Sequence, residues 1–279
     1  MDKEKNNRNS QYSRRYKIAC MGDNCVDYYD ETREAFFGGN PVNVAVYLQR
    51  FGVQSSYLGA VGNDSFGDEM KEARASYGVD ISHLRTEEGT TALTHVTVQE
   101  GERILGDYDE GVMADYALRE EDYAFIAEHD LAVTGLWGHC ENALERIRAL
   151  GVATAFDCAD RPEDPAAQTA VPHTDILFFS DDASTDDALR AKLLQMHRDG
   201  AKIVVATRGE KGSISYDGKE FVSFGIIPCE VADTMGAGDS YIAGFLAAWL
   251  QEKSIAECME AGARCSAVTL SYPGAWQRK

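Results

Sequence analysis

The sequence predicts an α/β fold with a mostly parallel central sheet. Three observations carry this reading. Short apolar runs such as LAVTGL, VATAFD, DILFFS and AKIVVATRG recur through the second half of the chain. Helical patterns of about 10–15 residues, ENALERIRALG and DDALRAKLLQMHRDG, alternate with them, which is the rhythm of βαβ units. Glycine-rich loops stand directly before helical stretches, where open α/β sheets hold their ligands.

The elements follow in order. YKIACM, Tyr16 to Met21, is an apolar run stopped by a glycine and reads as a buried first strand. PVNVAVYLQRF places Pro41 in a first helical turn, spaces its apolar residues helically and ends at Gly52. SSYLGAVGND is the next strand and loop, and FGDEMKEARASYGV is a helix stopped by Gly78. TALTHVTVQ alternates before GERILGD, so the pair reads as a hairpin with one exposed face. VATAFD leads through a loop to DILFFS, and GSISYDGKEFVSF forms a second hairpin. Helices at Ser240–Glu252 and Ser254–Leu270 close the chain. The β-rich stretches at about 26–37 and 91–108 break the alternation. They are expected to pair into a small sheet outside the main layer. With no repeat and no linker, one domain over 16–279 is expected, after a polar, disordered tail over 1–15.

Composition bounds the function. The 279 residues carry a formal charge of −19, which disfavours nucleic acid or an anionic membrane surface as a partner. Hydrophobic residues make up 44% and charged ones 26%, an ordinary globular balance with no span of about 18 apolar residues. Seven scattered cysteines without a C-x-x-C predict reduced thiols and a cytoplasmic setting. Hydride transfer would want G-x-G-x-x-G after the first strand, but MGDNCVD has one glycine. Metal hydrolysis would want clustered histidines, and the six present are dispersed.

DTMGAGDS, Asp233 to Ser240, precedes an apolar helix. Gly236 and Gly238 let successive N–H groups point one way at a helix start, with Ala237 between them, which makes an anion site suited to phosphate. Asp239 would repel that phosphate as a binder. It fits a general base that takes a proton from a substrate hydroxyl; the alternative is a plain N-cap. In FFGGNPVNVA, Gly38 and Gly39 allow close backbone approach to a ligand, and Asn40 and Asn43 can bind hydroxyls. At the exit of the first strand, Asp23, Asn24 and Asp27 suit polyol hydroxyls, or serve turn chemistry alone.

GGNPVNVA and DTMGAGD resemble the two signatures of the ribokinase-like (PfkB) family of carbohydrate kinases, G-G-x-x-x-N-x-A and D-T-x-G-A-G-D. MGDNCVD is similar to the family's first-strand sugar motif, and ATRGEKGS to its T-x-G-x-x-G nucleotide loop. The likeness covers about Tyr16 to Trp276. It implies a three-layer α/β/α fold with a small β-sheet lid built from the two insertions. It implies ATP and Mg²⁺ as cofactors, with K⁺ near Asp233 in some relatives. Asp239 would be the catalytic base, with the amides of Gly236, Ala237, Gly238 and Asp239 as the anion hole. Asp23, Asn24, Asp27, Gly38, Gly39 and Asn43 would hold the sugar. Thr207, Gly209 and Gly212 would line the nucleotide site, and the turn at Pro273–Gly274 would flank adenine. In relatives the lid often pairs with a second subunit's lid, so a homodimer through the lid is expected. One departure stands out: SDDA, Ser180 to Ala183, replaces the N-x-x-E that many relatives use for Mg²⁺. Asp181 or Asp182 would then act through water. Arg208 stands where relatives usually carry an apolar residue, and touches phosphate or lies in solvent.

GDYDEGVMADYAL, LWGH and SYPGAW resemble the branch of this family that phosphorylates the 6-hydroxyl of a fructosamine such as fructoselysine. A sugar bearing an amino acid needs carboxylates for its amines and a cation for its carboxylate. RILGDYDEG offers Arg103, Asp107, Tyr108, Asp109 and Glu110 for this, or merely a charged strand edge. His139 reaches the sugar pocket or is structural. The alternatives are a family kinase of fructose, ribose, a nucleoside or a keto-deoxy sugar acid, and a silent sensor that would have lost Asp239.

Overall fold

The computed structural model describes residues 16–99 and 102–276. The expected tail over 1–15 lies outside these residues. In chain order the strands and helices are β1 Lys17–Met21, β2 Cys25–Tyr29, β3 Glu34–Gly38, α1 Asn40–Arg50, β4 Gln54–Gly62, α2 Ser65–Ser76, β5 Leu84–Glu87, β6 Leu93–Gln99 and β7 Glu102–Asp109. Then come α3 Glu120–Ile126, β8 Leu131–Gly135, α4 Leu144–Ala149, β9 Ala153–Asp157, α5 Pro165–Ala170, β10 Ile176–Ser180, α6 Asp186–Arg198, β11 Ile203–Thr207, β12 Ser213–Tyr216, β13 Phe221–Phe224, α7 Ala237–Trp249 and α8 Ile255–Thr269.

Nine strands form the main sheet in the order β13-β12-β11-β10-β9-β8-β1-β4-β5. It is parallel except at β11–β12 and β12–β13. Its inner strands, such as β8 LAVTG and β10 ILFFS, are largely apolar because both faces are covered, whereas the edge strand β5, LRTE, is not. Ile18 and Cys20 of β1 pack toward α1, α7 and α8, whereas Ala19 and Met21 pack toward Ile126 of α3 and Ile147 of α4. The chain builds β4 and β5 on one side of β1 and then returns to place β8 on the other. The strand order therefore reverses at β1–β8, and the carboxyl ends of these strands are where an open α/β sheet holds its ligand.

A second sheet of four strands, in the order β3-β2-β6-β7, stands apart from the first. It joins the two insertions through the parallel pair β2–β6. Asp27 faces Thr94 across that pair, and Thr94 faces Tyr108 across the antiparallel pair β6–β7.

Three elements go beyond the sequence reading: β5, α3 and α5. Each is short, at four to seven residues, and offers too few periodic positions to read. The helix expected from Ser240 begins three residues earlier, at Ala237. Gly236 is its N-cap with φ 72°, so the chain turns in the left-handed region and the glycine motif itself winds the first helical turn.

Candidate active site

Asn40 and Asn43 lie one turn apart at the start of α1, so both amides face α7. Asn40 Nδ2 donates to Asp239 Oδ1 at 2.8 Å, and Asn43 Nδ2 donates to Asp239 Oδ2 at 2.7 Å. Asn40 Nδ2 also donates to Asp157 Oδ2 at 2.9 Å, and its backbone N–H donates to Asp23 Oδ2 at 3.1 Å. One residue thus touches three carboxylates. Trp276 Nε1 donates to Asn43 Oδ1 at 2.8 Å, which leaves the Asn43 nitrogen facing Asp239. Tyr47 of α1 donates its hydroxyl to Ala275 O, so the end of the described chain clamps α1 beside α7.

The carboxylates carry the cost of this crowding. Burial raises Asp239 to about 6, even though Asn43 and Asn40 stabilise its charged form. Burial and then the Asp239 charge raise Asp157 to about 7. Asp23 is also raised to about 7, chiefly by burial, against the opposing bond from the Asn40 backbone. Groups pushed toward neutrality in a cleft are suited to proton transfer. The Asp239 side chain caps no helix amide. Its oxygens are held by the two asparagines instead, and this removes the plain N-cap alternative.

On the far side of Asp239 is a cavity of about 760 Å³ lined by Asp157, Thr207, Gly209, Gly212, Gly238 and Ala267, among others. That volume suits a small-molecule ligand. A Cβ added to Gly238 would meet nothing within 4 Å, so its backbone faces open space. In the first turn, Ala237 N–H donates to Thr234 O at 3.3 Å and Ser240 N–H to Gly236 O at 2.9 Å. Among the described residues the amides of Gly236, Gly238 and Asp239 take no such partner, and they are the donors left for an anion. Gly236 contributes the turn rather than a wall. Gly212 (φ 81°) packs so closely on β13 that a Cβ would come within 2.2 Å of Phe224 O.

Several residues singled out from sequence stand elsewhere. Asn24 is fully buried and turned inward: its Nδ2 donates to Ala60 O at 2.7 Å and to the Tyr57 hydroxyl at 3.0 Å, so it braces the turn after β1. Gly39 approaches that turn but packs on protein backbone rather than on open cleft, whereas a Cβ on Gly38 would meet only the Asn43 amide, at 3.9 Å. Arg103 pairs with Val98, five residues out along β7 from Tyr108. At about 3.4 Å per residue that is roughly 17 Å away, so the backbone does not bring it to the cleft; its side chain lies outside the description. Gly274 lines no part of the nucleotide-sized cavity. Its N–H donates to Asp233 Oδ2 at 2.8 Å, and Asp233 Oδ1 accepts from Met235 N–H, so this pair ties the last turn to the loop before α7.

The SDDA stretch is also occupied. Asp181 accepts from Ser184 N–H, the Ser184 hydroxyl and Lys192 Nζ. Burial opposes its ionisation, but Lys192 and Ser184 outweigh burial and hold its carboxyl at about 2. It secures the entry to α6. The Asp182 side chain is exposed, and its carbonyl accepts from Lys211 Nζ. Arg208 Nη2 pairs with Asp186 Oδ1 at 2.7 Å, while its Nε is buried without a partner, so the side chain is not simply solvated. The sequence reading missed Asp157. It ends VATAFD at the carboxyl edge of a parallel strand, and that position was the available signal.

A buried acid held by two asparagine amides, next to bare helix amides beside a large cavity, is an arrangement suited to group transfer, and the family match gives the class: this is a carbohydrate kinase. The match to known proteins is direct. Residues 15–277 fit the model of the pfkB family carbohydrate kinase, and the chain belongs to that family. It is 47% identical over 259 residues to the fructoselysine 6-kinase of Shigella flexneri, covering 93% of this chain and 99% of that protein. It is 33% identical over 264 residues to a fructosamine kinase of Bacillus subtilis, covering 93% of each. The solved structure of Arabidopsis thaliana ribokinase complexed with ribose and ATP shares the fold, with a TM-score of 0.83 at 20% identity over 93% of each chain. The chain is an ATP-dependent sugar kinase. Among the described residues no helix is long and apolar enough to cross a membrane.

Proposed function

We propose that the enzyme transfers the γ-phosphoryl group of ATP to the 6-hydroxyl of fructoselysine or a closely related fructosamine. The observation that carries the chemistry is Asp239, held by two asparagine amides and directly following Gly238, which lines the 760 Å³ cavity. The substrate reading is supported by the 47% identity to a fructoselysine 6-kinase.

In this reading Asp239 accepts the proton of the 6-hydroxyl as the oxygen attacks phosphorus. The free amides of Gly238 and Asp239 and the α7 dipole steady the charge of the transferring group. Asp23 and Asp27 accept hydrogen bonds from sugar hydroxyls, and Asn43 keeps the base in place. The walls at Thr207, Gly209 and Gly212 hold the nucleotide. Mg²⁺, when bound with ATP, screens phosphate charge. Among the described residues there is no group of three or more His, Cys, Asp or Glu able to hold a metal, which fits an ion carried mainly by phosphates and waters. Asp157, on the cavity wall, would hold one of those waters. The four-stranded sheet serves as the lid over the sugar.

Two results are expected. With sugar and ATP saturating, kcat rises with pH along a limb centred near 6, because the base must be deprotonated, and levels off above it. A rate that stays flat from about pH 5 to about pH 8 would remove Asp239 as the base. In a substrate panel, fructoselysine is turned over with a kcat/KM at least ~10²-fold above that of fructose or ribose, and the product carries phosphate on O6 by ³¹P–¹H correlation. Equal turnover of fructose, or phosphate on another oxygen, would refute the substrate assignment.

A further inference from the structure

We propose that Glu110 and His139 form the part of the sugar cleft that recognises the cationic amine of the substrate, and so separate a fructosamine from its parent ketose. The inference rests on the fructosamine reading above.

A fructosamine differs from fructose by a secondary amine on C1, at the opposite end of the sugar from the hydroxyl that receives phosphate. An ammonium there needs an anionic acceptor on the side of the cleft away from Asp239. The register of the small sheet supplies that side. Asp27, Thr94 and Tyr108 form one row across β2, β6 and β7. Cys25, two residues before Asp27 and on the same face, has its Sγ 3.0 Å from Thr94 Oγ1. Cys25 follows the turn after β1 directly, so this row stands beside that turn. Tyr108 is 42% exposed, which leaves its ring free to meet a ligand.

The opposite wall comes from the loop after β8. Gly22 and Gly138 touch so closely that a Cβ on Gly22 would lie 2.4 Å from Gly138 Cα. This contact sets the next residue, His139, beside Asp23, and the chain reaches it with a left-handed φ of 52°. His139 Nε2 then lies 3.3 Å from Glu110 Oε2, with side chains 39% and 37% exposed. Glu110 follows β7 directly, so the pair spans the cleft from the small sheet to the main sheet.

A second observation points to a ligand in the same place. Asp23 is only 6% exposed, yet its Oδ1 has no hydrogen-bond partner. A buried carboxylate oxygen left bare is costly unless a ligand donates to it. The sugar's hydroxyls are such donors. With the sugar ring on Asp23, the C1 substituent leaves past Tyr108 toward Glu110. The Glu110 carboxylate takes the ammonium, and the His139 imidazole, 3.3 Å from Glu110 Oε2, holds that carboxylate in position.

The test measures kcat/KM for fructoselysine and for fructose in the wild type, in Glu110→Gln and in His139→Asn. Asparagine tolerates the left-handed backbone at 139, and glutamine keeps the shape at 110. The ratio of the two kcat/KM values is expected to fall about tenfold or more in Glu110→Gln, through KM for fructoselysine, and several-fold in His139→Asn. An unchanged ratio in Glu110→Gln, or an equal fall for both sugars, would overturn the proposal while leaving the fructosamine reading intact. A wild-type enzyme that turns over fructose but not fructoselysine would instead overturn the fructosamine reading and this inference with it.

Discussion

Asp239→Asn is expected to lower kcat at least ~10²-fold while the sugar still binds. The new amide has one acceptor oxygen where the carboxylate had two. It must therefore set an NH₂ group against either Asn40 Nδ2 or Asn43 Nδ2. Asn43 cannot turn over to accept, because Trp276 holds its Oδ1. Asn40 can, since its Oδ1 is buried without a partner and Asp157, raised to about 7 by burial, can donate its proton to the flipped oxygen in place of accepting from Nδ2. The site therefore survives with Asn40 flipped, and what is lost is the base itself. A coupled assay measures kcat and titration calorimetry measures sugar affinity. Turnover within tenfold of wild type would contradict the mechanism.

Gly39→Ala is expected to destabilise the protein by on the order of 3 kcal/mol and to raise KM for the sugar. Gly39 precedes α1 with φ 107°, and an added Cβ would lie 2.6 Å from Asn24 Cα and 2.7 Å from Asp23 O. Both obstacles are backbone, so no side-chain rotation relieves them. Relief must move either the turn after β1 or the start of α1, and these carry Asp23 and Asn40. Gly52 gives the control. It has φ 74° but nothing within 4 Å of an added Cβ, so Gly52→Ala meets only the left-handed penalty of roughly 1–2 kcal/mol. Denaturant melts of both variants distinguish packing from backbone preference. Equal losses would show that the contact at Gly39 is not tight.

The two motifs that identify the family are local in sequence because each does a local job. GGNPVN starts a helix after a close backbone approach, and DTMGAGDS winds the first turn of another. Such turns depend on residues that are neighbours in the chain, so their glycines and asparagines could be read directly. The repeating strands and helices were legible for the same reason. What failed were assignments that depend on direction. Asn24 sits in a sugar-like motif, but it faces inward because Tyr57 and Ala60, more than thirty residues later, receive its amide. Arg103 sits in a suitable stretch, but the hairpin register carries it outward. Asp181 has the right chemistry for a metal, but Lys192 and Ser184 take it.

By itself, the sequence determined the α/β class, the glycine turns that expose helix amides, and the identity of the acid beside them, because these follow from spacing and backbone freedom over a few residues. The tertiary structure alone decided that Asp23, Asp157 and Asp239 converge on Asn40, and that Glu110 meets His139 across the cleft. Those partners lie far apart along the chain. Only the order of strands in the sheet, set by packing of the whole core, brings them within hydrogen-bonding distance.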